Sequence, residues 1–107
     1  MFKDAYNNNH VYGQNLLENF DINNINIIDV REPYEIEICN IPGSLFIPLN
    51  TLLKDPNIFI NKKETYFIIC HTGQRSYYVT DHLTKMGYNV VNIIGGITSV
   101  EKYNVPY

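Results

Sequence analysis

The fold of this 107-residue chain is decided at residues 66–76, which read Tyr66-Phe67-Ile68-Ile69-Cys70-His71-Thr72-Gly73-Gln74-Arg75-Ser76. The four apolar residues that open this stretch are typical of a short buried strand. A helix is predicted to follow from about residue 77 to residue 86, so Cys70 lies where a strand ends and a loop leads into a helix. Backbone N–H groups of such a loop can converge on one point, which the positive end of the helix dipole also faces. A sulfur anion would be stabilised there, and the stretch therefore predicts a nucleophilic cysteine.

Apolar and helical segments alternate along the rest of the chain. Further strands are predicted at about residues 11–12, 26–30, 45–47 and 89–94, and helices at about residues 14–20, 34–38, 52–53 and 97–103. Strands that are apolar throughout and alternate with helices favour an α/β fold with a single central, mostly parallel sheet and helices on both faces. Because chemistry in such sheets lies beyond the carboxyl ends of the strands, residues 29–32, the loop after Cys70 and Gly95-Gly96 are predicted to meet at one edge.

The helix predicted after residue 76 carries apolar side chains at helical spacing. Its buried side is predicted to consist of Tyr78, Val79, His82, Leu83 and Met86. His10 and His82 carry no evident functional signal.

Composition and charge argue against several classes of function. The length favours one domain, residues 1–107, with residues 1–10 as a polar N-terminal lead-in. A net charge of −3 argues against a nucleic-acid partner, and no apolar run approaches the roughly 20 residues that span a bilayer. The N-terminus lacks the layout of a signal peptide, so a cytoplasmic protein with reduced thiols is expected. Two cysteines, Cys39 and Cys70, are too few for a disulfide scaffold, and no metal-ligand spacing such as Cys-x-x-Cys occurs.

Four segments resemble the signatures of single-domain rhodaneses, a family of sulfurtransferase modules. They are Asp29-Val30-Arg31-Glu32, then Ile41-Pro42-Gly43-Ser44 followed by Ile47-Pro48-Leu49, then Cys70-His71-Thr72-Gly73-Gln74-Arg75-Ser76, and finally Gly95-Gly96-Ile97. The segments come in family order with family spacing and cover about residues 11–107. Two positions depart from the family, because Cys39-Asn40 stands where Gly-His is common and Val100 roughly replaces a tryptophan.

The resemblance implies a sulfurtransferase that works through a cysteine persulfide. Cys70 would take a sulfane sulfur from a small-molecule donor such as thiosulfate and pass it to a thiophilic acceptor, which is cyanide in vitro and a thiol or protein in the cell. No metal and no organic cofactor is needed. The substrate-binding residues implied are those of the loop, chiefly through their N–H groups: His71, Thr72, Gly73, Gln74, Arg75 and Ser76. Support of the site is expected from Asp29, Arg31 and Glu32.

Several residue roles stay open at the level of sequence. Arg75 either braces the loop by pairing with a carboxylate such as Glu32, which we favour, or attracts the anionic donor. Arg31 is expected to brace the strand end and Asp29 to hydrogen-bond backbone near the site. Cys39 is interpreted as a buried structural cysteine in preference to a resolving thiol for Cys70.

Two other functions compete with the sulfurtransferase. Phosphatases and arsenate reductases on the same fold use Cys-x5-Arg, whereas this chain has Cys-x4-Arg from Cys70 to Arg75, a shorter loop with less room for a tetrahedral oxyanion. The domain could also act as a persulfide carrier or redox sensor with a partner protein, since a chain this small leaves little surface for a deep pocket.

Overall fold

A computed structural model describes residues 9–105 of the chain. Residues 1–8 of the predicted polar lead-in and the last two residues lie outside this described part. The last residue of the lead-in, His10, opens a strand of the sheet.

In the described part of the chain, five strands and four α-helices alternate, as the sequence predicted. The strands are β1 His10–Tyr12, β2 Asn26–Asp29, β3 Leu45–Phe46, β4 Thr65–Ile69 and β5 Asn89–Ile94. The helices are α1 Gly13–Asn19, α2 Pro33–Ile38, α3 Leu49–Lys54 and α4 Gln74–Lys85. Short 3₁₀ turns cover Ile22–Asn24, Pro56–Ile58, Gly96–Ser99 and Glu101–Tyr103, so the last helix predicted from the sequence is instead a pair of such turns. Across residues 9–105, none of the helices is long and apolar enough to cross a bilayer.

All five strands are parallel and lie in the order β1-β5-β4-β2-β3. The predicted edge strand at residues 11–12 is confirmed as part of β1, which pairs with β5. Parallel pairing brings the carboxyl ends of all strands to one edge, so the segments after β2, β4 and β5 meet there.

The strands bury both faces of the sheet, because neighbouring residues along a strand point to opposite sides. On one face, Ile28 and Ile68 pack with residues of α3 and α4 such as Leu52 and Leu83. On the other face, residues such as Phe67 pack with α1 and with the turn Gly96–Ser99. The predicted parallel sheet with helices on both faces is therefore confirmed.

Helix α4 differs from its prediction in two ways. It begins at Gln74, three residues earlier than expected, because Gly73 adopts a left-handed conformation (φ 101°) at the N-cap and starts the helix there. The buried side consists of Ser76, Val79, Thr80 and Leu83. Tyr78, His82 and Met86 are exposed, so the predicted buried side was wrong at these three positions. Two of the four buried residues, Ser76 and Thr80, have small hydroxyl side chains.

Candidate active site

Cys70 follows directly on β4 at the carboxyl edge of the sheet and is only 1% exposed. Its position on the strand places it on the sheet face that α4 covers, where it belongs to the same apolar cluster as Ile68 and Val79. The prediction of a cysteine between a strand and a helix is confirmed by this placement. Four residues, 70–73, connect β4 to α4, so only three lie between Cys70 and the helix.

Two backbone donors and one hydroxyl surround the sulfur of Cys70. The backbone N–H of Gly73 donates to Sγ at 3.1 Å and that of Ser76 at 3.3 Å. The Ser76 hydroxyl lies 3.3 Å from the same sulfur. Since Ser76 is in the first turn of α4, its N–H is one of the helix donors that lack a partner within the helix. We call these groups of Gly73 and Ser76 the sulfur cradle.

The glycine pair after β5 holds the loop that forms the sulfur cradle. The N–H of Ile97 donates to the Cys70 carbonyl at 2.9 Å, and the N–H of Thr98 donates to the His71 carbonyl at 3.3 Å. A side chain at Gly96 would place its Cβ 2.4 Å from the Cys70 carbonyl oxygen, which no real Cβ tolerates. The close approach of two backbones therefore requires glycine at this position.

A chain of hydrogen bonds leads away from the sulfur cradle. The Ser76 hydroxyl donates to Oδ1 of Asn92 at 2.6 Å, and Nδ2 of Asn92 lies 3.2 Å from Nδ1 of His10. The His10 ring stacks on Tyr77 with 5.1 Å between the ring centroids. The sequence interpretation missed Asn92 and His10. A polar residue in the otherwise apolar run of β5 was a usable signal for Asn92, whereas His10 is found only through the β1–β5 register.

Arg75 is held by a carboxylate, as the sequence predicted, but the partner is different. Its two terminal nitrogens donate to the two oxygens of Glu35 at 2.6 and 2.8 Å. Glu32, the expected partner, is the N-cap of α2 and forms a capping box with Glu35. Oε1 of Glu35 also accepts from the Glu32 N–H at 3.0 Å. The carboxylate of Glu35, at the third helical position, therefore binds both the start of α2 and Arg75 of α4.

Asp29 and Arg31 form a buried ion pair at the end of β2. Both side chains are at most 1% exposed, and the shortest nitrogen–oxygen distance is 2.8 Å. Asp29 also accepts from the Arg31 backbone N–H at 3.1 Å. The Arg31 guanidinium donates onward to the carbonyl of Cys39 at 2.7 Å, at the end of α2. These contacts tie the end of β2 to the end of α2, and the bracing role of Arg31 stays a prediction.

The remaining residues of interest lie around the loop or away from it. Thr72 and Gln74 are exposed and His71 is half-buried. Cys39 is a buried free thiol in the apolar cluster on the opposite sheet face from Cys70. Within residues 9–105, no group of three histidine, cysteine or acidic side chains is arranged to hold a metal ion.

The fold and the cradled thiol define a parallel α/β domain with a cysteine at the carboxyl edge of its central strand. A family model described as rhodanese-like domain matches residues 12–103, and the chain belongs to that family. This confirms the resemblance found in the sequence motifs.

Individual relatives agree with the family. The chain is 39% identical over 74 residues to the putative sulfur carrier protein YrkF of Bacillus subtilis, a match that covers 68% of this chain and 40% of the relative. It is 32% identical over 87 residues to a protein of Allochromatium vinosum named sulfurtransferase, covering 80% of each. The crystal structure of SSP1007 from Staphylococcus saprophyticus superposes with a TM-score of 0.78 at 37% identity, covering 90% of this chain and 98% of that one. The chain thus spans less than half the length of the sulfur carrier relative.

Proposed function

We propose that this protein is a sulfurtransferase in which Cys70 carries the transferred sulfur as a persulfide. The observation that carries the proposal is the sulfur cradle, in which two backbone N–H groups point at Sγ from 3.1 and 3.3 Å. Membership of the rhodanese-like family and the names of its sulfurtransferase and sulfur carrier relatives support the same reaction class.

The reaction proceeds in two half-reactions with Cys70 as the nucleophile. In the first, the Cys70 thiolate attacks the outer sulfur of a donor such as thiosulfate. A new S–S bond forms, the S–S bond of thiosulfate breaks, and sulfite leaves with the electron pair. In the second, the acceptor attacks the outer sulfur of the persulfide, and Cys70 leaves as a thiolate. The acceptor is cyanide in vitro and a thiol or protein in the cell.

The sulfur cradle stabilises the anion in both resting states. Before the first step the charge is on Sγ, and afterwards it is on the outer sulfur, one bond further from the strand. Donors fixed by a helix start and a glycine turn need no reorganisation, and a preorganised donor of this kind is worth roughly 3 kcal/mol of barrier in comparable oxyanion sites. We therefore assign the rate to the N–H groups of Gly73 and Ser76 and not to a paired base.

The other loop residues are assigned roles around this centre. Contacts with the donor and the acceptor are assigned to the exposed Thr72 and Gln74 and the half-buried His71, which follow Cys70 closely in the chain. Arg75 braces the start of α4 through its bidentate pair with Glu35. The site is supported by the end of β2 and the start of α2, which are fixed by Asp29, Arg31 and Glu32.

A second candidate function is a persulfide carrier that exchanges sulfur with a protein partner. The 1% exposure of Cys70 favours it, because a thiol this enclosed turns over slowly with free reagents unless a partner opens the loop. A steady-state assay with thiosulfate and cyanide separates the two functions. Rapid turnover identifies the enzyme, whereas a single stoichiometric loading without turnover identifies the carrier.

Mass spectrometry tests the persulfide itself. Incubation with thiosulfate should raise the mass of the intact protein by one sulfur atom, and cyanide should remove the added mass. Cys70→Ser should abolish the adduct, whereas the matched control Cys39→Ser should retain it, since Cys39 lies on the other sheet face. An adduct that maps to Cys39, or turnover that survives Cys70→Ser, contradicts the proposal.

A further inference from the structure

The Ser76 hydroxyl has one proton, and the distances from its oxygen indicate which group accepts that proton. The shortest contact of Oγ is the 2.6 Å hydrogen bond to Oδ1 of Asn92, compared with 3.3 Å to the Gly73 carbonyl oxygen and 3.3 Å to the Cys70 sulfur. While Ser76 donates to Asn92, its oxygen can meet Cys70 only as an acceptor, which suits a protonated thiol and not a sulfur anion.

The direction of that hydrogen bond is set further along the chain of contacts. With Oδ1 of Asn92 turned to Ser76, Nδ2 faces Nδ1 of His10 as a donor. The ring nitrogen must then be the unprotonated one of a neutral imidazole, because both nitrogens of a charged imidazole are donors. The arrangement described therefore belongs to neutral His10.

Protonation of His10 reverses every donor and acceptor in this chain. A proton taken from solvent at Nδ1 requires an acceptor, which Asn92 supplies when its amide turns over and presents Oδ1. The turned amide fills the same space, so the 2% exposed site of Asn92 accommodates it without repacking. Nδ2 of Asn92 then donates to Oγ of Ser76. The Ser76 proton turns to the Cys70 sulfur, because a sulfur anion is a stronger acceptor than the Gly73 carbonyl at the same distance of 3.3 Å.

We propose that Asn92 and His10 are positioning residues that set whether the Ser76 hydroxyl accepts from Cys70 or donates to it. With His10 protonated, the hydroxyl becomes a third donor in the sulfur cradle, and the proton that Cys70 loses goes to solvent. The proposal concerns the reactivity of the thiol that the proposed function uses, but it does not depend on which sulfur compound Cys70 accepts.

Within residues 9–105, two groups contact the His10 ring. From β5 it meets the neutral amide of Asn92, and from α4 the ring of Tyr77 stacks on it. In this described part of the chain, the titratable groups that contact His10 are the Tyr77 phenol and, through the chain of hydrogen bonds, the Cys70 thiol. The imidazole is half-buried, so it can exchange a proton with solvent.

Protonation of His10 is expected to raise the alkylation rate of Cys70 moderately. One added hydrogen bond to a charged group should raise the fraction of thiolate about tenfold. A stabilised thiolate is a weaker nucleophile. With a Brønsted coefficient near 0.5, the reactivity of each thiolate falls by about the square root of the tenfold gain in thiolate fraction. The net acceleration of alkylation at Cys70 is therefore about threefold where His10 is protonated, and it disappears where His10 is neutral.

The test is the rate of iodoacetamide alkylation at Cys70 from about pH 5.5 to about pH 8.5, the range that spans histidine titration. Peptide mass spectrometry resolves Cys70 from Cys39. His10→Phe keeps a ring to stack on Tyr77 and removes both nitrogens. The ratio of the wild-type rate to the His10→Phe rate should be about three at the low end and about one at the high end. His10→Gln, which can accept or donate but does not titrate, provides a second variant with the same expected change of ratio. Tyr77→Phe should follow the wild type.

Two results overturn the proposal. One is a ratio that stays constant over the pH range, which a purely structural role of His10 produces. The other is an effect of His10→Phe that persists in a Ser76→Ala background, where the hydroxyl that transmits it is gone. Because alkylation needs no sulfur donor, a failed persulfide assay with the expected pH dependence rejects only the proposed function, and a persulfide with a constant ratio rejects only the relay.

Discussion

Replacing Asp29 by asparagine tests whether the buried ion pair is the brace that we describe. The substitution keeps the shape of the side chain and removes its charge. In the wild type the Arg31 guanidinium donates to the carboxylate at 2.8, 2.9 and 3.1 Å with both side chains excluded from water. In Asp29→Asn the guanidinium stays buried and charged, and the amide nitrogen is turned toward groups that only donate.

The expected loss of stability follows from the burial of the Asp29–Arg31 ion pair. Removing one partner of a buried pair costs about 3 to 5 kcal/mol, because the remaining charge is left without compensation. A domain of this size has about 5 to 15 kcal/mol of total stability, so Asp29→Asn should remove a large part of it. At roughly 5 °C per kcal/mol, the midpoint of thermal unfolding should fall by about 15 °C or more.

Urea unfolding followed by circular dichroism measures the free energy of unfolding. The matched control is Asp81→Asn, which breaks a pair with Lys85 at a similar distance, 3.0 Å, but with side chains 54% and 75% exposed. That pair should be worth less than about 1 kcal/mol. A second variant, Asp29→Leu combined with Arg31→Met, should cost less than Asp29→Asn alone, because no charge is left buried. An Asp29→Asn cost within about 1 kcal/mol of the control refutes the reasoning.

Three further predictions concern the loop. Gly96→Ala should lower the rate of persulfide formation by about tenfold or more, since its Cβ would meet the Cys70 and His71 carbonyls. The control Gly43→Ala should keep that rate, because Gly43 also has a positive φ but no atom lies within 4 Å of the added Cβ. Glu35→Gln should lower kcat with thiosulfate about tenfold and leave KM nearly unchanged; a lower KM would indicate that freed Arg75 binds the donor. Inserting one glycine after Thr72 should move one N–H away from the sulfur and weaken sulfur transfer, so full thiosulfate activity in that variant would show that loop length does not matter.

The order of the elements and the edge that carries the site could be predicted because they depend on local patterns. Continuous apolar runs identified β2, β4 and β5, and parallel strands necessarily gather their carboxyl ends. The position of Cys70 followed from these two facts alone. The start of α4 did not, because Gln74, Arg75 and Ser76 have no apolar periodicity and only the conformation of Gly73 begins the helix.

The partners of the charged side chains could not be read from the sequence, because they depend on packing between elements. Arg75 meets Glu35 across 40 residues of chain. The i, i+3 spacing of Glu32 and Glu35 did carry a capping-box signal that would have separated their roles. No local pattern connects His10 to Asn92, 82 residues away, since only the strand order places them side by side.

The position of Arg75 also bears on the choice between sulfur and phosphate chemistry. In a loop that binds a tetrahedral oxyanion, the arginine after the cysteine has to face the anion, as its fork of donors suits that geometry. Here Arg75 lies in the first turn of α4, and both ends of its fork are bound to the 6% exposed carboxylate of Glu35. The groups that do face Cys70 are two N–H donors and one hydroxyl oxygen close to a single atom. Such a ring matches the charge and size of one sulfur, which is why the geometry favours sulfur transfer over phosphate-ester hydrolysis on this fold.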